Sequence, residues 1–224
     1  MLIPAAIPFA VSGVRPIPFA KRSTVKDMLD DMKAKGIIRP ITVATDWTHP
    51  LVVVNKPNGK LRICVDLTRL NAHVKRPLHP LISPRDAVAS ISNHAKFYNT
   101  FEAKNGYWQI PLAEDSQLLK TFITSWGRFK FLRGPMGLVS TGDEYCRRVG
   151  AALGHLPRLI RVVDDILSEE ESVTMAYDDA RSIFSTCREN HITLGKSKFD
   201  LAVQRVQFTG FIVESGGLST DRVK

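Results

Sequence analysis

Apolar residues along this chain alternate between helical stripes and short continuous runs. Val25, Met28, Leu29 and Met32 recur at helical spacing and predict an amphipathic helix. Thr24 reads as its N-cap with Asp27 in the first turn, and Gly36 as its stop. Val173, Ala176, Tyr177, Ala180, Ile183, Phe184 and Cys187 form a second stripe, predicting a helix over 173–190. Leu51 to Val54 and Leu61 to Val65 flank Lys56-Pro57-Asn58-Gly59 and read as a β-hairpin. Ser83-Pro84 is an N-cap followed by proline at the first helical position, opening a helix to about Ile91. Phe97 to Phe101 is a strand running into Glu102, and Thr121 to Thr124 and Phe129 to Leu132 are strands turning at Gly127. Gly142 to Leu153 suits a helix. Val203 to Val213 is strand-like, with Gly216-Gly217 as a turn, and the proline-broken residues 1–20 read as extended. Hairpins and helices mix without βαβ regularity, which predicts an α+β fold with a mostly antiparallel sheet.

Adjacent acids interrupt this pattern at Asp30-Asp31, Asp164-Asp165 and Asp178-Asp179. The first and last pairs fall off the apolar stripes and read as solvated helix faces. Asp164 and Asp165 stand instead in Ile-Arg-Val-Val-Asp-Asp-Ile-Leu-Ser, a β-branched run where Asp is disfavoured. They read as the bend between strands Leu159 to Val163 and Ile166 to Leu167, forming either an exposed hairpin turn or a cation site. Glu102, at the end of a predicted strand, could add a third carboxylate.

Composition narrows the partners. The 224 residues can bury a core, and 44% hydrophobic with 24% charged content is globular. The net charge of +9 is spread along the chain, favouring a polyanion in a charged groove, nucleic acid before membrane. Cys64, Cys146 and Cys187 have no CxxC spacing, so neither a zinc site nor a disulfide framework is predicted. No apolar stretch spans a bilayer, and Met1 to Val14 lacks a basic lead. The expectation is an intracellular protein, cytoplasmic or nuclear, with no membrane partner.

From about Pro18 onward the chain resembles the reverse transcriptase domain of gypsy-type long-terminal-repeat retrotransposons, as a fragment of a pol polyprotein. The resemblance rests on Val-Val-Asn-Lys-Pro-Asn-Gly-Lys-Leu-Arg-Ile-Cys-Val-Asp-Leu-Thr-Arg-Leu-Asn from Val53, Glu-Ala-Lys-Asn-Gly-Tyr-Trp-Gln-Ile from Glu102 and Thr-Phe-Ile-Thr from Thr121. It continues through Gly-Pro-Met-Gly-Leu from Gly134, Val-Val-Asp-Asp-Ile-Leu from Val162 and Phe-Thr-Gly-Phe-Ile-Val from Phe208.

The resemblance implies a right-hand polymerase, α+β, with fingers, a mostly antiparallel palm sheet and an absent or truncated thumb. Residues 1–20 would be an extended lead. Residues 21–75 and 110–140 would be fingers, 76–109 and 141–213 palm, and 214–224 the truncated start of the thumb connection. The implied activity is RNA-directed DNA polymerisation, adding dNTPs to a primer on an RNA or DNA template. Two Mg²⁺ ions, or Mn²⁺, about 3.5–4 Å apart would serve the transfer. Asp164, Asp165 and Glu102 match the catalytic, metal-binding acids. Lys56, Arg62, Tyr107, Met136, Gly137 and Lys198 match dNTP-binding positions, Tyr107 being the aromatic gate against a ribose 2′-hydroxyl. That gate argues against an RNA-dependent RNA polymerase. Phe208, Thr209 and Gly210 match the segment that contacts the primer.

The chain departs from the family at several places. Glu102 stands where relatives have Asp, and its extra methylene moves the carboxylate about 1.5 Å, where a displacement of about 1 Å can cost about 100-fold. Val162 replaces a common Tyr, Thr68 a common Arg and Ala176 a common His, and the segment after Leu167, Ser-Glu-Glu-Glu, looks shortened. The family continues past this point into a thumb, a connection and an RNase H domain, so a weak grip on duplex is expected. A partner could be the remainder of the polyprotein or another subunit. The alternative reading is a catalytically decayed nucleic-acid-binding remnant of the same fold.

Overall fold

The computed structural model describes residues 2–56, 59–215 and 217–220. Along the chain run α1 (Arg22–Ala34), β1 (Ile38–Ile41), β2 (His49–Asn55), β3 (Leu61–Val65), α2 (Thr68–Asn71) and α3 (Pro84–Ala89). Then come β4 (Phe97–Glu102), α4 (Glu114–Gln117), β5 (Thr121–Thr124), β6 (Gly127–Phe131) and α5 (Val139–Leu153). The remainder holds β7 (Leu159–Val162), β8 (Asp165–Glu170), α6 (Val173–Glu189), β9 (Asp200–Val203), β10 (Arg205–Phe208), β11 (Phe211–Glu214) and β12 (Gly217–Thr220). The fold is mixed α+β. No helix among the described residues is long and apolar enough to cross a membrane.

Tertiary contacts divide the chain into two units. One comprises Met1–Leu78 with Tyr107–Gly142, and the other His79–Gly106 with Asp143–Lys224. The first is built on a five-stranded sheet ordered β1-β6-β5-β2-β3, in which only the β2–β5 pairing is parallel. Val25, Leu29 and Met32 of α1 pack with Ile38, Leu51, Ile63, Phe122 and Phe131 of the sheet. Fully burying a side chain such as Leu29 or Phe122 contributes about 1.5–3 kcal/mol.

The second unit holds an antiparallel sheet ordered β7-β8-β4-β9 and a three-stranded sheet, β10-β11-β12. Asn99, fully buried on β4, donates to Ser168 Oγ at 3.0 Å and to the Ala176 carbonyl at 2.9 Å, and accepts from the Ala202 amide at 2.9 Å. One amide thereby ties β4 to β8, α6 and β9. Ala176 is buried on that α6 contact. Phe101, Phe184 and Phe199 make a ring cluster with centroids 5.0–5.4 Å apart. Ser172 caps α6 by accepting the Met175 amide, and Ser83 caps α3 by accepting the Asp86 amide.

Several expectations need correction. Thr24 is not an N-cap: the chain enters through a 3₁₀ turn, Phe19–Lys21, so α1 starts at Arg22 with Thr24 already inside it. Val203 to Val213 is not one strand. Thr209 (φ 49) and Gly210 (φ 89) make a two-residue turn that folds β10 back onto β11 as a hairpin. Asp178 is exposed on α6, but Asp179 is half-buried and its Oδ2 has no hydrogen-bond partner. Ser168, Glu169 and Glu170 are buried, because β8 is an interior strand of its sheet. Pro57 and Asn58 of the predicted hairpin turn, Gly216 of the predicted Gly-Gly turn and residues 221–224 lie outside the described residues.

Candidate functional site

Val162 pairs with Asp165 across β7 and β8, so Val163 and Asp164 form the turn between them. The sequence puts both acids at the bend; the structure starts the bend one residue earlier and sets Asp165 inside β8. Val163 has φ 55. A tight two-residue hairpin wants positive φ at this position, usually supplied by glycine. Holding a β-branched residue there costs roughly 1–3 kcal/mol. Strain of this kind clusters at functional sites, and nothing in the apolar pattern announces it.

Glu102, the last residue of β4, is the direct partner of Asp165 in the β4–β8 ladder. The Ala103 amide donates to the Asp164 carbonyl at 3.0 Å, which locks the turn to the end of β4. The Gly195 amide donates to the Glu102 carbonyl at 2.8 Å, and the chain then makes a 3₁₀ turn, Lys196–Lys198. That turn brings Lys198 Nζ to 3.0 Å from Glu102 Oε2.

The electrostatics follow from crowding like charges at strand ends. The Asp165 carboxyl is pushed up to about 6, first by burial and then by Asp164 and Glu102, with Lys198 pulling the other way. Asp164 is exposed at the turn apex, yet the protein around it displaces enough water to raise its carboxyl too, with Glu102 adding to the effect. The Lys198 ammonium is held above its usual range by its hydrogen bond to Glu102. All these donors are hard oxygens. Among the described residues, no three His, Cys, Asp or Glu side chains are grouped closely enough to form a ready-made metal cage.

A cavity of about 470 Å³ gathers Glu102, Asp165, Lys198, Phe208, Thr209 and Gly210. Asp200 and Gln207 also line it, and sequence reasoning missed both. Asp200 accepts from Thr100 Oγ1 at 2.9 Å, a pairing between positions far apart in sequence that no local motif signals. The Thr209 hydroxyl is buried without a hydrogen-bond partner.

The remaining predicted residues belong to the first unit. Arg62 pairs with Val54 on the β2–β3 hairpin, and Lys56 closes its base by donating its amide to the Lys60 carbonyl at 2.7 Å; both side chains are exposed. Tyr107 lies in a 3₁₀ turn, Gly106–Gln109. Met136 is half-buried beside Gly137, which adopts φ 92, and Asn71 Nδ2 donates to the Gly137 carbonyl at 2.7 Å. A side chain is disfavoured at that φ. Thr68 donates its hydroxyl to Asp66 Oδ1 at 2.7 Å.

The fold is similar to part of the foamy viral protease-reverse transcriptase. Its complex with double-stranded DNA superimposes with a TM-score of 0.87 at 21% identity, covering 98% of this chain and 38% of that one. Its complex with an RNA/DNA hybrid gives 0.86 at 21% identity, covering 96% and 29%. In sequence, the chain is 30% identical over 205 residues to an uncharacterized protein of Caenorhabditis elegans, covering 90% of this chain and 16% of that protein. Two Drosophila melanogaster proteins are retrovirus-related Pol polyproteins. That from transposon opus is 28% identical over 93% of this chain and 21% of its own length, and that from transposon gypsy 29% over 89% and 19%. The homologues include Pol polyproteins of retrotransposons and retroviruses, and the chain spans about a fifth or less of the three relatives described here. No protein-family model matches the chain.

Proposed function

We propose that this chain is the fingers and palm of a reverse transcriptase, an RNA-directed DNA polymerase that extends a primer with dNTPs. The observation that carries the reading is the convergence of Glu102, Asp164 and Asp165 at adjoining strand ends, in a fold shared with the foamy viral enzyme.

The donor set suits Mg²⁺, which is commonly bound by one or two carboxylates together with water and substrate phosphates. Asp164 and Asp165 suffice for that, and the Asp165 carboxyl is raised first by burial and then by the like charges of Asp164 and Glu102, which a cation would offset. Bound there, two Mg²⁺ ions, or Mn²⁺, would activate the primer 3′-hydroxyl and stabilise the leaving pyrophosphate. In this reading Asp164, Asp165 and Glu102 hold the metals. Lys198, protonated beside Glu102, offers a proton and a positive charge to phosphate. The turn at Phe208, Thr209 and Gly210 seats the primer end. Lys56 and Arg62 bind triphosphate oxygens, Arg62 bidentately. Met136 and Gly137 offer backbone to the nucleotide, and Tyr107 excludes a 2′-hydroxyl. The chain would act within a longer Pol polyprotein.

A specific observation favours a second reading, a decayed nucleic-acid-binding remnant. The Glu102 carboxylate is already engaged by Lys198, and it stands where the family resemblance implies Asp. Primer extension on poly(rA)·oligo(dT) with Mg²⁺ or Mn²⁺ separates the two. The polymerase reading expects weak extension by the natural chain and a gain of about 100-fold for Glu102→Asp. If neither protein extends the primer, that reading fails.

A further inference from the structure

A second cavity of the second unit, about 270 Å³, has walls that include His79, Leu81, Ile82, Cys146 and Arg161. Arg161 is half-buried in β7, and its guanidinium has no hydrogen bond or ion pair among the described residues. A guanidinium taken partly out of water without an acceptor is costly, and it is a ready receiver for an anion. The space in front of it is opened by a missing side chain. A Cβ at Gly150 of α5 would stand 3.3 Å from Arg161 Nη1, 3.8 Å from Nη2 and 3.9 Å from His79 Nε2. Two separate nitrogen groups therefore converge over one glycine. Burial raises the Cys146 thiol beside them, with Arg161 opposing and Asp143 and Asp164 adding to the rise. Leu81 and Ile82 leave about half of their surfaces exposed beside the cavity, at 48% and 43%.

We infer that the Arg161–His79–Gly150 pocket is a phosphate subsite that takes a backbone phosphodiester of nucleic acid, with Leu81 and Ile82 against the sugar. The guanidinium supplies paired N–H donors and the imidazole a further donor in its Nε2–H tautomer. The apolar rim and a volume beyond what a bare phosphate fills favour a nucleotide unit over the free ion. None of this rests on the metal-site reading, since the pocket shares no residue with the carboxylate cavity.

The test is fluorescence anisotropy of the full chain with a labelled RNA–DNA duplex across a salt series, for the natural protein, Arg161→Leu, Arg161→Lys and Gly150→Ala. Arg161→Leu should weaken binding roughly tenfold at low salt and lower the salt slope by about one, the mark of one lost phosphate contact. Arg161→Lys should recover part of the affinity, because the charge is kept and the fork is lost. Gly150→Ala crowds the guanidinium while improving the helix, so it should raise Tm and still weaken binding. Unchanged affinity and slope in Arg161→Leu, or no duplex binding by the natural chain at low salt, overturns the proposal. Millimolar inorganic phosphate at constant ionic strength should compete with the duplex only in proteins that retain Arg161; duplex binding to the natural chain that phosphate leaves untouched would overturn the assignment. Asp165→Asn should lose primer extension and keep this duplex affinity, so the two proposals can fail separately.

Discussion

Glu102 and Asp165 stand directly opposite each other in the β4–β8 ladder, and the Lys198 ammonium lies 3.0 Å from Glu102. Like charges placed opposite on neighbouring strands repel. Here the repulsion is offset by one lysine on an adjoining turn.

Removing that lysine should therefore expose the carboxylates to metal. Lys198→Met is expected to tighten Mn²⁺ binding by up to about fivefold, the equivalent of an exposed ion pair of about 1 kcal/mol. Folding stability should change by less than about 1 kcal/mol, since the lysine is 61% exposed. Free Mn²⁺ measured by electron paramagnetic resonance reads the affinity. An unchanged or weaker affinity would show that Lys198 does not compete for these carboxylates.

Asn99 holds the strand that carries Glu102, so its loss should be felt throughout the second unit. Asn99→Leu strands the Ala202 amide and removes the donors to Ser168 and Ala176. Leaving buried polar groups unpaired costs about 1–3 kcal/mol each. Urea unfolding should show a loss of about 3 kcal/mol. A loss below about 1 kcal/mol would mean that the network is not what ties β4 to its neighbours.

Lys120 gives the first unit an alkaline signature. Only 6% exposed, it donates to the Ser116 carbonyl, and burial lowers its ammonium to about 8, with Asp115 opposing. Between that value and the ordinary lysine range the unfolded chain binds the extra proton, so stability rises with pH there. The full effect has an upper limit on the order of 3 kcal/mol. Thermal unfolding from pH 8 to 10.5 should show this rise in the natural chain and a flatter profile in Lys120→Met. Equal slopes in the two proteins would rule out Lys120 as the source.

How far the sequence foretold these features depended on whether a signal was local. The β2–β3 hairpin was legible because its apolar runs and turn residues are contiguous. The acids were legible as a pair, but the turn beneath them was misplaced by one residue, because Val163 occupies a conformation that its side chain disfavours. The break in Val203 to Val213 was hidden because one Gly in an apolar run reads equally as a bulge or a turn. Asp200, Gln207 and Arg161 were invisible as site residues. They line cavities whose walls are brought together only by the fold, Arg161 doing so against Gly150 of α5.

Asp179 shows how a carboxylate beside an apolar stripe can be misread, and it leads to an acid-side prediction. Its neighbours on the packed face of α6 include Glu170 from β8, with Arg158 supplying positive charge; Arg158 Nη2 lies 3.0 Å from Glu170 Oε2. Burial raises the carboxyls of Asp179, Glu169 and Glu170 above their ordinary range. The folded state then holds protons that the unfolded chain has already released. Their stabilising contribution is complete below the ordinary carboxylate pKa and is lost as pH rises through the raised values. Asp179→Asn keeps a polar group near Ser168 and Asn99 while removing the charge. It should stabilise the chain near neutral pH by about 1 kcal/mol, and the gain should vanish on acidification. Chemical unfolding of both proteins at pH 4 and pH 7 measures this. A gain of the same size at both pH values, or a loss at pH 7, would show that the buried charge of Asp179 is not what strains this face of α6.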